Sequence, residues 1–304
     1  MSFFKNLFSI RRIDNHVILM FCGIQLKLKY KTNFTCPEVK DVGVTNNKRE
    51  TKIIVSLTTF PDRIETVYKT VSTLLTQTLK PDEVILWLAD SQFPDKKLPE
   101  NLTNLQQYGL TINWCENLRS YKKLIPALQQ YPNDIIITVD DDLYYAEDTI
   151  ETLYNSYIKH PKDIHAHRCG EVVSGRNKIT DVSMRKLYFK EFLGASYLYR
   201  QIGYGGVLYP PHSLHSDVLD TKKFTTLVPT HDDIWFWVMA VLNNTKIRSV
   251  KGYQESVNYV ENTQKVGLCK INKAANEGGS VEDAIEALSE LYPRFTCILE
   301  EESI

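Results

Sequence analysis

Residues 134–142 read Asp-Ile-Ile-Ile-Thr-Val-Asp-Asp-Asp, an apolar run that ends in three consecutive acids. A short apolar segment rich in β-branched residues predicts a strand that is buried on both faces. Two segments upstream share this pattern, residues 52–57 (KIIVSL) and residues 83–89 (EVILWLA). Each is followed by a polar loop, and residues with helical spacing recur between the strands. The pattern therefore predicts an α/β fold with a mainly parallel central sheet flanked by helices.

The alternation of strands and helices continues along the chain. The further predicted elements are a helix entered near Pro61, a strand at 110–115, helices at 121–131 and 146–159, a helix at 234–242 and a strand at 246–250. The sequence contains no repeat and no clear linker. We therefore predict one main domain at 52–250, with a first part at 52–142 and a second part at 143–250. Residues 1–51 form a basic N-terminal segment and residues 251–304 a helical, acidic C-terminal one.

The charge balance excludes one class of function. The 304 residues contain 36 Lys and Arg against 37 Asp and Glu, a formal net charge of -1. A molecule without a basic field is poorly suited to binding nucleic acid as its main function. The charge is uneven, however. Residues 1–31 contain six cations and one acid, whereas residues 281–304 contain seven acids and one cation.

The N-terminal segment lacks the pattern of a membrane span or of a cleaved signal peptide. Its longest apolar run, residues 17–24, is far shorter than a membrane span and has no cleavage site behind it. The six cysteines are scattered without a C-x-x-C pair, which is typical of a reducing compartment. We therefore expect a cytoplasmic protein. Phe3, Phe4, Leu7 and Phe8 share a helical face near Lys5, Arg11 and Arg12, which predicts peripheral contact with an anionic membrane. An ordinary packed helix is the alternative.

The acidic triplet is the first candidate site. Asp140, Asp141 and Asp142 repel one another, so their array costs stability unless a cation or a donor network compensates. Carboxylate oxygens at the end of a strand suit Mg²⁺ or Mn²⁺ shared with a phosphate. The alternative is a polar turn that caps the next helix, although one aspartate suffices for capping.

A second acidic cluster opens the helix at 234–242. His231, Asp232 and Asp233 lie directly before the apolar sequence Ile-Trp-Phe-Trp-Val. One of these aspartates is a candidate general base that accepts a proton from an attacking hydroxyl group. Capping of the helix is the alternative here as well.

Two smaller motifs lie in the second half of the chain. Residues 203–206 read Gly-Tyr-Gly-Gly and lead towards Tyr209, which suggests a close approach of the backbone to a ligand and flat aromatic faces for a sugar. A tightly packed loop is the alternative. His165 and His167 have a spacing that can bind a metal, but a pair of hydrogen-bonded strand histidines is the favoured interpretation.

Taken in order, the strand-end acids, the glycine-rich loop and the acidic helix start resemble the GT-A-fold glycosyltransferases. The resemblance is to inverting, family-2-like enzymes of bacterial capsule and lipopolysaccharide synthesis, and it covers residues 52–250. It implies that 52–250 is a catalytic domain, with a nucleotide-sugar half at 52–142 and an acceptor half at 143–250. It implies that Asp142 and Asp140, at the DxD motif, bind the metal. It also implies that Asp140 contacts the ribose of the nucleotide. It implies Asp233 as catalytic base beside Asp232. The remaining implied contacts are Thr58, Thr59, Arg63, Asp90, Lys123 and Asp141 for the nucleotide sugar, and Gly205, Gly206, Tyr209 and Trp235 for the acceptor.

The resemblance also implies a reaction. A UDP-, GDP- or dTDP-linked sugar would be transferred, with Mn²⁺ or Mg²⁺, to a hydroxyl group of a glycan or a lipid-linked acceptor. Two other classes remain open from the sequence: a metal-dependent phosphohydrolase built on the two acidic clusters, and a non-catalytic nucleotide-binding protein. The sequence does not predict the sugar, the nucleotide, the acceptor or the linkage.

Overall fold

The computed structural model describes residues 8–13, 16–21, 24–29, 35–175, 178–181, 194–250, 258–266 and 280–303. The strands in these residues are β1 (Phe8–Ile13), β2 (His16–Phe21), β3 (Ile24–Lys29), β4 (Ile53–Thr58), β5 (Glu83–Ala89), β6 (Leu110–Cys115), β7 (Ile135–Thr138), β8 (Ile164–Ala166), β9 (Cys169–Gly175), β10 (Lys178–Asp181), β11 (Ala195–Ser196), β12 (Tyr199–Gln201), β13 (Val207–Tyr209) and β14 (Ile247–Ser249). The α-helices are α1 (Val67–Leu74), α2 (Glu100–Thr103), α3 (Ile125–Gln130), α4 (Thr149–Lys159), α5 (Thr221–Leu227), α6 (Asp232–Leu242), α7 (Val281–Leu291) and α8 (Pro293–Glu302).

The central sheet has eight strands in the order β11-β14-β8-β13-β7-β4-β5-β6. β4 pairs in parallel with β5 and β7, and β6 pairs in parallel with β5. β8 and β14 form another parallel pair. β13 enters between β7 and β8 and is antiparallel to both. The predicted α/β fold with a mainly parallel sheet is therefore confirmed.

The apolar strands are buried because both faces of the sheet are covered. In β4, the side chains of Ile53, Val55 and Leu57 join one hydrophobic cluster, together with residues of α1 and α4. Ile54 points the other way and joins a second cluster, which contains most of α6. Successive strand residues face opposite sides of a sheet, so an uninterrupted apolar run is the pattern that two covered faces require.

The parallel strands bring polar residues to one edge of the sheet. Thr58 ends β4, Asp90 follows β5 directly, and Asp140 lies two residues beyond β7. Because β5, β4 and β7 are neighbours that run in the same direction, these three positions lie at their carboxyl ends. This is where open α/β sheets bind their ligands.

The helix predicted at 121–131 is interrupted. A 3-10 turn spans Arg119–Lys123, and α3 begins only at Ile125. Pro126 lies in the first turn of α3, where its missing N–H is tolerated, whereas in a continuous helix it would remove the hydrogen bond to the Lys122 carbonyl group and clash with it. The interruption turns Lys122 and Lys123 into the interior, where both are buried. Neither lysine is therefore solvated on a helix surface, which is the usual environment of a lysine pair.

The C-terminal helices pack on the core. Phe295 of α8 is fully buried, and its ring meets that of Trp237 in α6 edge-on at 5.0 Å between centroids. Leu288 of α7 and Leu299 of α8 are also fully buried in the same hydrophobic cluster. Residues 280–303 thus contribute to the support of α6, the helix that begins with the second acidic cluster.

The N-terminal strands form a sheet of their own. β1, β2 and β3 pair in order, with both pairs antiparallel. The predicted amphipathic helix begins outside the described residues, but Phe8, Arg11 and Arg12 lie in β1, so these three residues are not helical. None of the helices in the described part of the chain combines the length and the apolar character that a membrane crossing requires.

Candidate active site

The two acidic clusters meet around the side chain of Lys123. Its Nζ atom lies 3.1 Å from Oδ1 of Asp140 and 3.0 Å from Oδ2 of Asp232, with Oδ1 of Asp233 at 3.9 Å. Asp140 follows β7, whereas Asp232 and Asp233 open α6. The fold therefore joins residues that are more than ninety positions apart in the sequence, through one buried ammonium group.

The charge of Lys123 depends on these carboxylates. Burial by itself would lower the pKa of the lysine, but Asp140, Asp232 and Asp233 together raise it well above its usual value. The ammonium form is the one that three nearby acids stabilise. Lys123 is therefore a permanent positive charge at the centre of the site.

A second cation compensates the other two acids of the triplet. Arg63 Nη1 lies 2.5 Å from Asp141 Oδ1, and Nη2 lies 3.0 Å from Asp142 Oδ2. The Thr59 hydroxyl group also donates to Asp141, and the Thr70 hydroxyl group donates to the Asp141 carbonyl oxygen at 2.7 Å. The repulsion expected within the triplet is thus offset by the protein's own groups. Arg63 and Asp141, both predicted to contact the nucleotide sugar, instead bind one another and are buried.

Asp142 is held from two sides. Besides Arg63, the side-chain amide of Gln264 donates to Asp142 Oδ2 at 2.5 Å, and the main-chain N–H of Val260 donates to the Asp142 carbonyl oxygen at 2.9 Å. Burial, opposed by Arg63, raises the pKa of Asp142 to about 7. A bound cation would add the positive charge that keeps this carboxyl group ionised.

The donor set fits a divalent cation that is shared with a ligand. Within the described ranges, no group of three or more histidines, cysteines, aspartates or glutamates is arranged to hold a metal by protein ligands alone. Mg²⁺ sites commonly use one or two carboxylates together with phosphate oxygens and water. Asp140, whose side chain is 32% exposed, and Asp142 offer such oxygens. The residues therefore suit a metal that arrives with a diphosphate.

The two acids of α6 differ in their surroundings. Oδ1 of Asp232 accepts a hydrogen bond from the Ser120 hydroxyl group at 2.8 Å. Oδ2 of Asp233 accepts one from the main-chain N–H of Gly203 at 3.2 Å. The Asp232 side chain is 11% exposed and that of Asp233 is 26% exposed. Burial, opposed by Lys123, raises the pKa of Asp233 to about 6.

The glycine-rich loop reaches the site through a different residue from those predicted. A Cβ atom on Gly203 would lie 2.5 Å from Nζ of Lys123 and 3.0 Å from Oδ1 of Asp233, so this position must be glycine as the side chains stand. Gly205 instead packs against the Arg168 side chain. Gly206, with φ +90°, faces Leu153 of α4. The predicted acceptor contacts of Gly205 and Gly206 therefore remain predictions, and Gly203 is the glycine that meets the acidic cluster.

The aromatic residues predicted to contact the acceptor lie in the core. Tyr209 is only 2% exposed, because its strand β13 is enclosed between two others, and its ring meets that of Phe236 edge-on. Trp235 is fully buried, and its ring N–H donates to the Val218 carbonyl oxygen at 3.2 Å. A buried ring has no free face for a sugar, so neither ring is open to an acceptor in this arrangement, and their predicted role remains a prediction.

Thr58 and Asp90, both predicted to contact the nucleotide, lie at the same edge of the sheet as the acidic triplet. The Thr58 hydroxyl group donates to the Trp87 carbonyl oxygen at 2.8 Å. Asp90 is exposed and begins a 3-10 turn, Asp90–Gln92. Gln92 accepts a hydrogen bond from Nζ of Lys122 at 2.8 Å, and this ammonium group also donates to the Thr59 carbonyl oxygen at 3.3 Å. Burial lowers the pKa of Lys122 to about 8.

Several residues of the site were missed by the sequence analysis. Gly203 belongs to a motif that had been recognised, and only the turn at Gly203–Gly205 decides which glycine faces the acids. Ser120 and Gln264 carried no sequence signal, because single polar residues in loops are common. Tyr145 is a further case, since its hydroxyl oxygen accepts the main-chain N–H of Asp140 at 2.8 Å.

The two histidines with metal-like spacing are engaged in hydrogen bonds. His165 is fully buried, with Nδ1 2.8 Å from the Ser156 hydroxyl oxygen, and burial lowers its pKa to about 4. Nε2 of His167 lies 3.0 Å from the Thr152 hydroxyl oxygen. These contacts agree with the favoured interpretation of hydrogen-bonded core histidines.

Comparison with known families assigns the chain to a known class of enzyme. The sequence model of glycosyl transferase family 2 matches residues 57–212, which include Asp140, Asp141, Asp142 and Gly203. The chain belongs to glycosyl transferase family 2. The predicted enzyme class, a glycosyltransferase, is thereby confirmed, and the phosphohydrolase and the non-catalytic protein are set aside.

Solved structures with a related fold include S. aureus TarS 1-349, at 16% identity and a TM-score of 0.45, over 80% of this chain and 72% of that one. Another is the mannosyltransferase PcManGT from Pyrobaculum calidifontis in complex with GDP-Man and Mn²⁺, at 14% identity and a TM-score of 0.45, over 87% of this chain and 76% of that one. Among curated protein sequences, none gives a significant match.

Proposed function

We propose that this glycosyltransferase moves a sugar from a nucleotide-sugar donor to an acceptor hydroxyl group by a metal-assisted, inverting displacement. The observation that supports it most is the meeting of Asp140 with Asp232 and Asp233 around Lys123. This meeting brings a candidate base next to the strand end at which ligands of such sheets bind.

Asp233 is the better candidate for the base. A general base must come within hydrogen-bond reach of the proton that it accepts. The side chain of Asp233 is more exposed than that of Asp232, and Asp232 is already fixed by Ser120 and Lys123. A pKa of about 6 leaves Asp233 ionised at neutral pH and close enough to neutrality to accept a proton.

The donor side of the proposal uses the residues at the strand ends. Asp90 would contact the nucleotide base, Asp140 the ribose, and the loop at Thr58 and Thr59 would lie over the nucleotide. Asp140 and Asp142 are the residues that would hold a divalent metal. When bound, such a metal supplies positive charge against the departing diphosphate.

The proposed displacement forms one bond to the anomeric carbon and breaks another. The acceptor oxygen forms a bond to the anomeric carbon while its proton passes to Asp233. The bond between the anomeric carbon and the diphosphate oxygen breaks, and its electron pair leaves with the nucleoside diphosphate. Attack from the face opposite the leaving group inverts the anomeric configuration. The Lys123 and Arg63 charges hold the neighbouring carboxylates in place during this exchange.

The acceptor is proposed from the resemblance to enzymes of bacterial surface polysaccharides, and the location from the charge of the N-terminal segment. We infer that the acceptor is a growing or lipid-linked glycan of a bacterial surface polysaccharide such as capsule or lipopolysaccharide. Residues 1–31 carry a net charge of +5, from six cations and one acid, which favours contact with an anionic membrane surface on the cytoplasmic side.

The test of this function is a panel of donors. The chain would be incubated with UDP-, GDP- and dTDP-sugars, with Mn²⁺ or Mg²⁺, and with simple glycosides as acceptors, and release of the nucleoside diphosphate would be measured. We expect one donor to be consumed in a metal-dependent way, with inverted stereochemistry of the product by NMR. Turnover of no donor would overturn the proposal.

The role of Asp233 is tested in the same assay. We expect Asp233→Asn to lower kcat by about 100-fold or more, because an amide cannot accept the proton. Asp41→Asn, at an exposed aspartate, is the matched control and should retain full activity. An Asp233→Asn enzyme with the wild-type kcat would show that another group is the base.

A further inference from the structure

The turn Arg119–Lys123 is tied firmly to the central sheet. The Ser56 hydroxyl group of β4 donates to the Lys123 carbonyl oxygen at 2.6 Å, and the ring N–H of Trp87 in β5 donates to the Ser56 oxygen at 3.0 Å. Ser56 is fully buried. The main chain of Lys123 is therefore fixed to the same two strands that carry the donor side of the site.

The same turn makes two contacts with Asp232, the first residue of α6. Ser120 binds Oδ1 of Asp232, and Lys123 binds Oδ2 of the same carboxylate. Lys123 also lies between Asp140 and Asp233. A rigid element that contacts both acidic clusters sets the distance between them.

Gly203 provides the space for this contact. A methyl group at this position would overlap Nζ of Lys123, at 2.5 Å. Its main-chain N–H also holds Oδ2 of Asp233. Its φ angle lies outside the left-handed region, so the reason for glycine here is close approach to Lys123 and not the backbone angle.

We propose that Lys123 is a positioning residue that fixes Asp233 relative to Asp140, and that Gly203 keeps the space for its ammonium group. This inference rests on the proposed function, since it assigns Asp233 to the acceptor and Asp140 to the donor. It differs from two other roles for a buried lysine: a counter-ion that only stabilises the fold, and a direct contact to the donor diphosphate.

The three roles are separated in an Asp232→Asn background. Lys123→Met alone would leave three carboxylates without their cation, and such a loss can prevent folding. In the double variant one of these charges is absent, and the asparagine oxygen can still accept from Ser120. We would measure Tm, kcat and donor KM for Asp232→Asn and for Lys123→Met/Asp232→Asn.

The positioning role predicts a loss in kcat. We expect kcat of the double variant to be about 100-fold below that of Asp232→Asn, as for a misplaced reacting group. The donor KM should change by less than about threefold, and the Tm values should agree within a few degrees. Lys123→Arg/Asp232→Asn, which keeps the charge, should recover a large part of the lost kcat.

Other results would overturn the inference. Equal kcat values for the two enzymes would make Lys123 a counter-ion only, and an increase in donor KM with kcat unchanged would make it a diphosphate contact. If the wild-type enzyme consumes no donor, the proposed function fails and this inference fails with it.

A second pair of variants tests the same point without altering any charge. Gly203→Ala places a methyl group against Nζ of Lys123, whereas Gly205→Ala, in the same turn, places one against Cγ, Cβ and the main-chain nitrogen of Arg168 at 2.9, 3.1 and 3.2 Å. The second variant therefore disturbs the turn to a similar degree without touching Lys123. We expect kcat of Gly203→Ala to be at least about tenfold below that of Gly205→Ala, with similar donor KM values. A Gly203→Ala enzyme as active as Gly205→Ala would contradict the assignment.

Discussion

Lys123 and Arg63 each neutralise one part of a strongly acidic site. Five carboxylates lie close together, those of residues 140, 141, 142, 232 and 233, and these two cations form ion pairs with them. The acids therefore outnumber these two partners by three. An excess of carboxylates over cations favours a bound divalent cation, and this is the physical argument for the metal dependence that we propose.

The pKa of Asp233 predicts how activity depends on pH. Its folded-state pKa is raised, to about 6, chiefly by burial, so the ionised base is lost as the pH falls through this value. We therefore expect kcat/KM, measured at a saturating metal concentration that keeps Asp142 ionised, to decrease about tenfold per pH unit below about pH 6 and to be level above it. The measurement is a pH–rate profile at constant ionic strength. An acid limb that begins near pH 4 instead would exclude Asp233 as the titrating group.

Arg63 is expected to be essential for stability. Arg63→Ala would leave Asp141 and Asp142 buried without their cation, and breaking such a pair costs about 3–5 kcal/mol. Chemical denaturation of the variant and the wild type measures the difference in the free energy of unfolding. Lys40→Ala removes an exposed pair with Glu38 and should cause no measurable loss. A similar result for both variants would show that Arg63 is dispensable.

The predicted strands agree closely with the structure where an apolar run ends in a polar residue. β5 and β6 have the predicted limits, because burial on a sheet and a polar boundary are both local signals. The helix at 121–131 was interrupted for reasons that are partly distant in sequence. Besides Pro126, Tyr121 stacks on Phe224 at 4.2 Å between centroids and donates to the Val228 carbonyl oxygen at 2.5 Å.

The difference between local signals and long-range contacts also explains which residues of the site could be predicted. The acids of the triplet and of α6 were recognised because they stand at the ends of clear elements. The contact between Lys123 and these acids, the choice of Gly203, and the burial of Tyr209 depend on how distant segments pack, which no local pattern contains. Long-range packing therefore decided which side chains face the site, whereas local sequence decided which elements surround it.

The helix α8 is expected to be part of the stable core. Phe295→Ala would leave a cavity beside Trp237, and the loss of a fully buried phenylalanine costs about 3–5 kcal/mol. Denaturant titration measures this loss. Glu300→Ala changes an exposed residue of the same helix and serves as the control. A Phe295→Ala variant as stable as the control would show that α8 is held only loosely.

The N-terminal sheet is expected to be separable from the catalytic part. Strands β1 to β3 take their ladder hydrogen bonds from one another, so removal of residues 1–34 breaks no strand pair of the central sheet. We expect the shortened chain to keep its Tm and donor turnover, and to bind anionic vesicles more weakly than the full chain because the net charge of +5 is removed. Vesicle co-sedimentation and a thermal melt are the measurements.

Two outcomes would contradict these expectations. Equal binding of both chains to vesicles that contain anionic lipid would remove the membrane proposal. A large decrease in Tm would show that the N-terminal sheet supports the main fold.

The contacts around the acidic triplet also bear on how the protein is made. Thr59 and Asp141 are 82 positions apart, Ser120 and Asp232 are 112 apart, and Asp142 and Gln264 are 122 apart. Each contact must close a long loop, and a growing chain folds its N-terminal parts first. Until the segments that contain Gln264 and α8 have emerged from the ribosome, Asp142 has no Gln264 to bind and α6 has no α8 behind it. We therefore expect the contacts around the triplet to be completed only after residues far beyond it have been synthesised.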